Sequence, residues 1–263
     1  MDGSKVILAA HRGDRKNCPE NTMPAFESAL RFGADMIETD VHMTCDGELV
    51  LIHDRSLKRT TGVDAFTDKT TLREIQKLDA GSWFSADFKN TRIPTVEEFI
   101  ALIKESDMLI NWELKDYPCE VGDAFAFEVA DKLILTIKKH GLEKRSMINS
   151  FSDRVLEYVF KKYGAEFKIH GQGIYHCKRT NDNATLNEEE IYDWCCLYPN
   201  EKGYRPLDYP ENFNYCLEHK ILPCVCVADE YDTYKKYVEL GCRMFTSNDI
   251  YAADKILKEL KLR

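Results

Sequence analysis

Glu38 and Asp40 stand two positions apart in the apolar run Met36 to Val41. In an extended chain the period-two pleat turns both carboxylates to one face, with their Cα atoms about 7 Å apart. Taken alone, the pair also fits one salt-bridged carboxylate and one facing solvent at a strand end. Glu113 ends another apolar run, Met108 to Trp112, and would project into the same cavity mouth. Three oxygen donors without a thiolate suit Mg²⁺ or Ca²⁺ rather than zinc, so one divalent cation is expected there. Lys115 shares the face of Glu113 by the same spacing, and Arg12 follows His11 at the end of the first apolar run. Either cation alone reads as an ordinary ion pair, but their convergence on a metal suits an anionic phosphate. His11 and His53 complete the set. Displacement at phosphorus removes one proton from the attacking hydroxyl and gives one to the leaving oxygen, work that two imidazoles in opposite protonation states perform near neutral pH.

Such side chains must come from separate elements that end side by side. Strands are expected over Lys5 to His11, Met36 to Val41, Leu49 to His53, Met108 to Leu114, Ser146 to Asn149, Phe167 to His170, Ile191 to Tyr198, Ile221 to Val227 and Arg243 to Thr246. Helical patterns lie between them at Met23 to Phe32, Val96 to Glu105, Asp123 to His140, Asp153 to Tyr163, Tyr231 to Leu240 and Tyr251 to Leu260. Short strands apolar on both faces, joined by helices, imply a parallel sheet. About eight such units in a chain near 250 residues fit an α/β fold of the closed (β/α)₈ type, with an open doubly wound sheet as the alternative. In the barrel, chemistry belongs at the strand C-termini, where His11, Glu38, Asp40, His53, Glu113 and Lys115 all fall. No Pro/Gly/Ser-rich linker divides residues 1–263, which reads as a single domain.

The 263 residues carry 36 Lys and Arg against 45 Asp and Glu, a formal charge of −9. An acidic surface gains nothing from releasing counterions of a nucleic acid, so no nucleic-acid partner is expected and an anionic ligand must be met locally. No run approaches the roughly 20 apolar residues of a membrane span, and the first ten residues lack the apolar core and cleavage site of an export signal. Ten cysteines without CxxC spacing read as reduced thiols, so the expected location is the cytoplasm and the expected partner a small molecule. His140, His170, His176 and His219 read as structural histidines donating to backbone carbonyls, and His42 receives no role.

The ordered segments His11-Arg12-Gly13, Pro19-Glu20-Asn21-Thr22, Gly33-Ala34-Asp35-Met36-Ile37-Glu38-Thr39-Asp40-Val41, Asp46-Gly47, His53-Asp54 and Arg59-Thr60-Thr61-Gly62 closely resemble the glycerophosphodiester phosphodiesterase family. The likeness continues through Leu78 to Phe84, Ile93 to Glu98, Glu113-Leu114-Lys115 and Ser150-Phe151. The resemblance implies a TIM-type barrel with a small insertion at residues 55–92 beside its mouth. It also implies metal-dependent hydrolysis of glycerophosphodiesters to sn-glycerol 3-phosphate and an alcohol. By the family pattern His11 and His53 are the acid/base pair, Glu38, Asp40 and Glu113 bind the metal, and Arg12 and Lys115 hold the phosphate. Lysophospholipase D or phospholipase C-like cleavage of lipid phosphodiesters is the alternative within the enzyme class. A silent glycerophosphodiester-binding protein is the alternative outside it.

Asn21, Thr22 and Pro24 read as a capped helix start, and Glu20 either orients Arg12 or caps that helix. Phe66, Trp83, Phe84 and Phe88 form either a partial lid over the alcohol group or a satellite core under a loop. The second half departs from the family pattern. Cys226-Val227-Ala228-Asp229 stands where Trp-Thr-Val-Asn is usual, and Thr246-Ser247-Asn248-Asp249 where Thr-Asp-x-Pro is usual. Neither position is expected to supply a metal or acid/base group. Tyr175, Tyr192, Trp194 and Tyr198 either rebuild the lost aromatic wall or belong to the core.

Overall fold

The structure, a computed structural model, describes every residue except 2, 4, 173–183 and 199–203. Tyr175 and His176 therefore lie outside the described residues. The strands are β1 (Ile7–His11), β2 (Met36–Met43), β3 (Leu49–Leu51), β4 (Leu109–Leu114), β5 (Ser146–Ser150), β6 (Lys168–Gln172), β7 (Trp194–Leu197), β8 (Leu222–Cys226) and β9 (Met244–Ser247). Eight run parallel in the order β1-β9-β8-β7-β6-β5-β4-β2, and β1 pairs back onto β2 to close the ring. Closure removes both sheet edges, so the fold is the (β/α)₈ barrel and not the open doubly wound sheet. β3 lies antiparallel on the far end of β2, outside the ring, and is shorter than the expected Leu49 to His53.

Period two sorts the side chains. On β1, Ile7 and Ala9 point into the barrel while Leu8 and Ala10 face the surrounding helices. The same alternation sends Ile37, Ile110, Trp112 and Ile148 outward. Met36, Met147, Trp194, Cys196, Cys224 and Met244 fill the barrel interior. Toward the strand C-termini the inward positions turn polar: Glu38 on β2, Asn111 and Glu113 on β4, Asn149 on β5 and Gln172 on β6. The barrel is thus apolar at its base and charged at its mouth.

Helices Met23–Phe32, Val96–Ile103, Asp123–Lys139, Asp153–Tyr163 and Ile250–Glu259 agree with the expected spans to within two residues. Tyr231 to Leu240 is instead a 3₁₀ turn, Tyr231–Thr233, followed by the short helix Tyr234–Glu239. The helix Pro210–Glu218 carries a proline start signal, but it buries only Asn212, Phe213 and Cys216, too sparse an apolar stripe to announce itself. Thr22 precedes the first helix without capping it, because its hydroxyl donates to the Pro19 carbonyl at 2.6 Å. Among the described residues no helix is long and apolar enough to cross a membrane, and all nine described cysteines are free thiols.

Between β3 and the helix Val96–Ile103, short helical turns fold over a small aliphatic cluster of Val50, Ile52, Leu57, Ile75, Ala80 and Ile93. Aromatic rings do not form that cluster. Phe66 and Trp83 are exposed, Trp83, Phe84 and Phe88 touch edge to face, and Arg55 stacks over Phe66 at 4.8 Å. The outer core has an aromatic centre where Phe99 meets Phe26 at 4.6 Å and Trp112 at 5.4 Å, joining two helices to β4. Phe99 is fully buried. Phe99→Ala should therefore cost about 3–5 kcal/mol, read as a lower urea midpoint at unchanged slope; a loss within about 0.5 kcal/mol, the range of ordinary surface substitutions, would contradict this packing.

Candidate active site

A cavity of about 610 Å³ opens among the strand C-termini, with His11, Arg12, Glu38, His53, Glu113 and Lys115 in its wall. Asp40 lies just behind this surface, 1% exposed. Parallel register explains the convergence: His11 is opposite Glu38, Glu38 is opposite Asn111, and Asp40 is opposite Glu113. All seven residues singled out from the sequence are brought together here.

Arg12 holds φ = 58°, and the following Gly13 holds φ = 80°. A β-carbon on Gly13 would stand 2.8 Å from the Ala25 backbone, so only glycine fits the turn. The left-handed turn at Arg12 aims its backbone N–H at Glu38 Oε2, which accepts at 3.0 Å. Its guanidinium lies 3.3 Å from Asp40 through Nε and donates to Glu20 at 2.9 Å through Nη1. Asn21, also left-handed at φ = 53°, donates to Asp40 Oδ2 at 2.7 Å and accepts from the Thr39 hydroxyl at 2.8 Å. It braces a carboxylate rather than capping a helix.

The three carboxylates place ligand oxygens within 4.8 Å of one another. Burial raises the Glu38 carboxyl well above its ordinary range, and neighbouring Asp40 and Glu113 push it further. Burial also works against ionising Asp40, but Arg12 and Lys115 override it and hold that group well below the ordinary range. Glu38 Oε1 is buried with no hydrogen-bond partner among the described residues. A buried acceptor without a donor beside two further carboxylates is the environment that a cation would satisfy. Oxygen-only donors fit a hard divalent ion, so these residues suit a metal.

Lys115 donates to Glu113 at 2.7 Å and lies 3.6 Å from Asp40. Burial disfavours its charge, yet Glu113 and Asp40 raise its pKa and keep it an ammonium. The same nitrogen donates to His53 Nε2 at 3.2 Å, while His53 Nδ1 donates to Asp54 at 2.6 Å. His11 Nδ1 donates to Asn248 Oδ1 at 2.6 Å, leaving Nε2 with its lone pair. Burial, then Arg12 beside it, lowers the His11 pKa to about 3, so this imidazole is neutral at physiological pH.

Asn248 was not expected to bear on the acid/base pair. It is held by Asp229 through both its backbone and side-chain nitrogens, at 3.0 and 2.7 Å. Both residues belong to the segments that depart from the family pattern, and only closure of β9 against β1 reveals their task. His42 donates to Asp116 at 2.6 Å and to the His53 carbonyl at 3.3 Å; burial opposes its charge, but Asp116 raises its pKa. Among the described residues, His140, His170 and His219 show no bond to a backbone carbonyl. His140 pairs with Glu97 at 2.7 Å, His219 is exposed against Tyr215, and His170 contacts Asn111 and Cys224. An aromatic wall is present but differently sourced: Tyr117, Phe151 and Tyr198 line the cavity, Trp194 fills the barrel interior, and Tyr192 is buried against Gly171 with its hydroxyl on Asp153. None of Phe66, Trp83, Phe84 and Phe88 lines it.

Glu20 organises the outer rim. It takes Arg12 at 2.9 Å, Arg15 at 3.0 Å and Arg59 at 2.7 Å, and Arg59 also donates to Asp54 at 2.6 Å. The segment after β3 is thereby tied to both histidine-bearing loops.

A closed parallel barrel whose mouth gathers two imidazoles, three carboxylates, an arginine and a lysine places the chain among (β/α)₈ proteins with a polar site at the strand C-termini. The chain belongs to the glycerophosphoryl diester phosphodiesterase family, whose pattern it matches over residues 11–189. It is 45% identical over 165 residues to a glycerophosphodiester phosphodiesterase of Caldanaerobacter subterraneus subsp. tengcongensis, covering 63% of this chain and 65% of that one. It is 39% identical over 149 residues to a glycerophosphodiester phosphodiesterase of Bacillus altitudinis, covering 55% and 57%. The match spans less than two thirds of either relative's length. The fold is shared with an Oleispira antarctica phosphodiesterase solved with the product sn-glycerol-3-phosphate, at TM-score 0.82, 21% identity and 97% coverage of both chains. A glycerophosphodiester phosphodiesterase of Thermotoga maritima gives TM-score 0.71, 23% identity and 98% coverage of both.

Burial alone would raise the Glu20 carboxyl, but Arg12, Arg59 and Arg15 pull it down to about 2, from an ordinary 4.5. A depressed carboxyl contributes stability above its unfolded pKa that is lost as pH falls through the folded one. About 3 kcal/mol should therefore be present above pH 4.5 and vanish by about pH 2. Glu20→Gln should be about 3–5 kcal/mol less stable at pH 7, with denaturant midpoints of variant and parent converging toward pH 2; parallel curves at all pH values would refute the assignment.

Proposed function

We propose that the protein hydrolyses glycerophosphodiesters to sn-glycerol 3-phosphate and an alcohol, acting as one barrel domain with residues 55–92 as an insertion beside the mouth. The observation that carries this reading is the meeting of His11, His53, Arg12, Lys115 and the three carboxylates in one cavity. Membership of the family supports it, as does the product held by the Oleispira antarctica phosphodiesterase of the same fold.

In this mechanism Arg12 and Lys115 receive the phosphate and take up charge that grows on its oxygens. Neutral His11, its Nδ1 occupied by Asn248, accepts through Nε2 the proton of the attacking water or glycerol hydroxyl. His53, its ring oriented by Asp54 at Nδ1, gives a proton through Nε2 to the leaving alcohol oxygen as Lys115 turns from that nitrogen to the phosphate. If the glycerol hydroxyl attacks first, a cyclic phosphate forms and the two histidines exchange roles in its hydrolysis. Glu38, Asp40 and Glu113 would hold Mg²⁺ or Ca²⁺, and that ion when bound supplies Lewis acidity toward a non-bridging phosphoryl oxygen. Tyr117, Phe151 and Tyr198 offer the alcohol an apolar wall. Soluble diesters in the cytoplasm, rather than lysolipids, are the expected substrates.

Incubation with a panel of glycerophosphodiesters and lysolipids, with glycerol 3-phosphate as readout, tests the reaction. Turnover of the soluble diesters should disappear with EDTA and return with Mg²⁺ or Ca²⁺; binding without product would identify a capture protein instead. His11→Ala and His53→Ala should each lose about 10²- to 10⁴-fold in kcat, and near-normal turnover in either would remove that residue from the acid/base pair. Asn248→Ala should lower kcat about 10- to 100-fold by releasing the His11 ring. KM should stay near its parent value, because Asn248 orients a catalytic group rather than substrate.

A further inference from the structure

The inward faces of β6, β7 and β8 carry a second cluster that the proposed reaction does not use. His170, Cys196 and Cys224 are 2%, 0% and 1% exposed, and their imidazole nitrogen and two sulfurs all lie within 4.8 Å of one another. Cys196 and Cys224 face each other directly across the β7–β8 pairing, and His170 Nε2 stands 3.1 Å from Cys224 Sγ. His170 also lines the cavity, with the two sulfurs buried beneath it.

We propose that His170, Cys196 and Cys224 form a binding site for one soft divalent cation of the zinc class, distinct from the carboxylate site. An imidazole and two thiols are the donor set zinc prefers, whereas Mg²⁺ and Ca²⁺ take oxygen. Charge decides between soft ions. Two thiolates and a dication sum to zero, which suits a chamber walled by Met36, Met147, Trp194 and Met244, whereas monovalent copper reaches neutrality only if one of the two thiols keeps its proton. Binding is written as M²⁺ plus two thiols giving the dithiolate complex and two protons, with no change of oxidation state.

The surroundings of His170 complete the site. His170 Nδ1 lies 3.0 Å from the Asn111 side-chain nitrogen, and Asn111 Oδ1 is buried with no hydrogen-bond partner among the described residues. Turning that amide by half a rotation brings the oxygen to Nδ1, where it accepts the Nδ1 proton and leaves Nε2 as the lone-pair donor facing the sulfurs. The unpartnered acceptor thus has a use when His170 is a ligand. Three protein donors leave a fourth position for water. The bound ion would cross-link three neighbouring strands.

The full-length protein, stripped with a chelator and kept reduced, is titrated with Co²⁺ and then Zn²⁺. One equivalent of Co²⁺ should give a thiolate-to-cobalt charge-transfer absorption that Zn²⁺ abolishes and excess Mg²⁺ leaves unchanged. Cobalt on carboxylates alone gives no such band, which separates this site from the acidic one. Cys45→Ser/Cys119→Ser, at exposed thiols, should retain the band. Cys224→Ala and, independently, Cys196→Ala should lose it, and His170→Gln should weaken Co²⁺ binding at least tenfold. Absence of the band from the parent protein overturns the proposal whatever the variants do. Its survival in Cys196→Ala or Cys224→Ala overturns it as well.

Discussion

Three carboxylates buried together at one barrel mouth repel one another, and the rest of the site is arranged around that repulsion. Two anions about 4 Å apart interact by about 4 kcal/mol at the effective dielectric constant of a protein surface, several times the value in bulk water. The chain answers unequally. Asp40 has Asn21, Arg12 and Lys115 and stays ionised, whereas Glu38 receives one backbone N–H, keeps a second oxygen unpartnered and is pushed toward its protonated form. That asymmetry leaves Glu38 as the carboxylate that a hard cation would satisfy.

Charge balance extends outward in layers. Arg12 is the hinge between them, since it touches Asp40 and Glu38 on one side and Glu20 on the other. Glu20 in turn gathers Arg15 and Arg59, and Arg59 reaches the Asp54 that orients His53. Each catalytic candidate is fixed by a partner of its own: His53 by the adjacent Asp54, and His11 by Asn248 from beyond β9. Because these partners hold each Nδ1, the Nε2 atoms of both rings are oriented before any ligand arrives.

Deeper in the same barrel the donors change from oxygen to sulfur and nitrogen. The base-to-mouth gradient, apolar below and charged above, places His170, Cys196 and Cys224 where a neutral complex fits and a charged one does not. Two donor sets of different hardness within one barrel select different ions without competing.

The convergence of the seven candidate residues was legible because each stands at the end of an apolar run and the spacing of two keeps Glu38 with Asp40 and Glu113 with Lys115 on common faces. The strands and long helices were legible for the same reason of periodicity. Asn248, Asp229 and Asn21 were not, since an exposed-looking amide or carboxylate in a loop carries no local sign of the atom it will meet; likewise Cys196 and Cys224 show no ligand spacing, being 28 positions apart. The aromatic residues of 55–92 misled, because composition cannot say which face of a loop turns inward. Local chemistry and strand periodicity thus determine which groups the protein owns and that they end at one rim. Which of them touch was decided by closure of the ring, because the register between β1, β2 and β9 is a property of eight strands together and of no single segment.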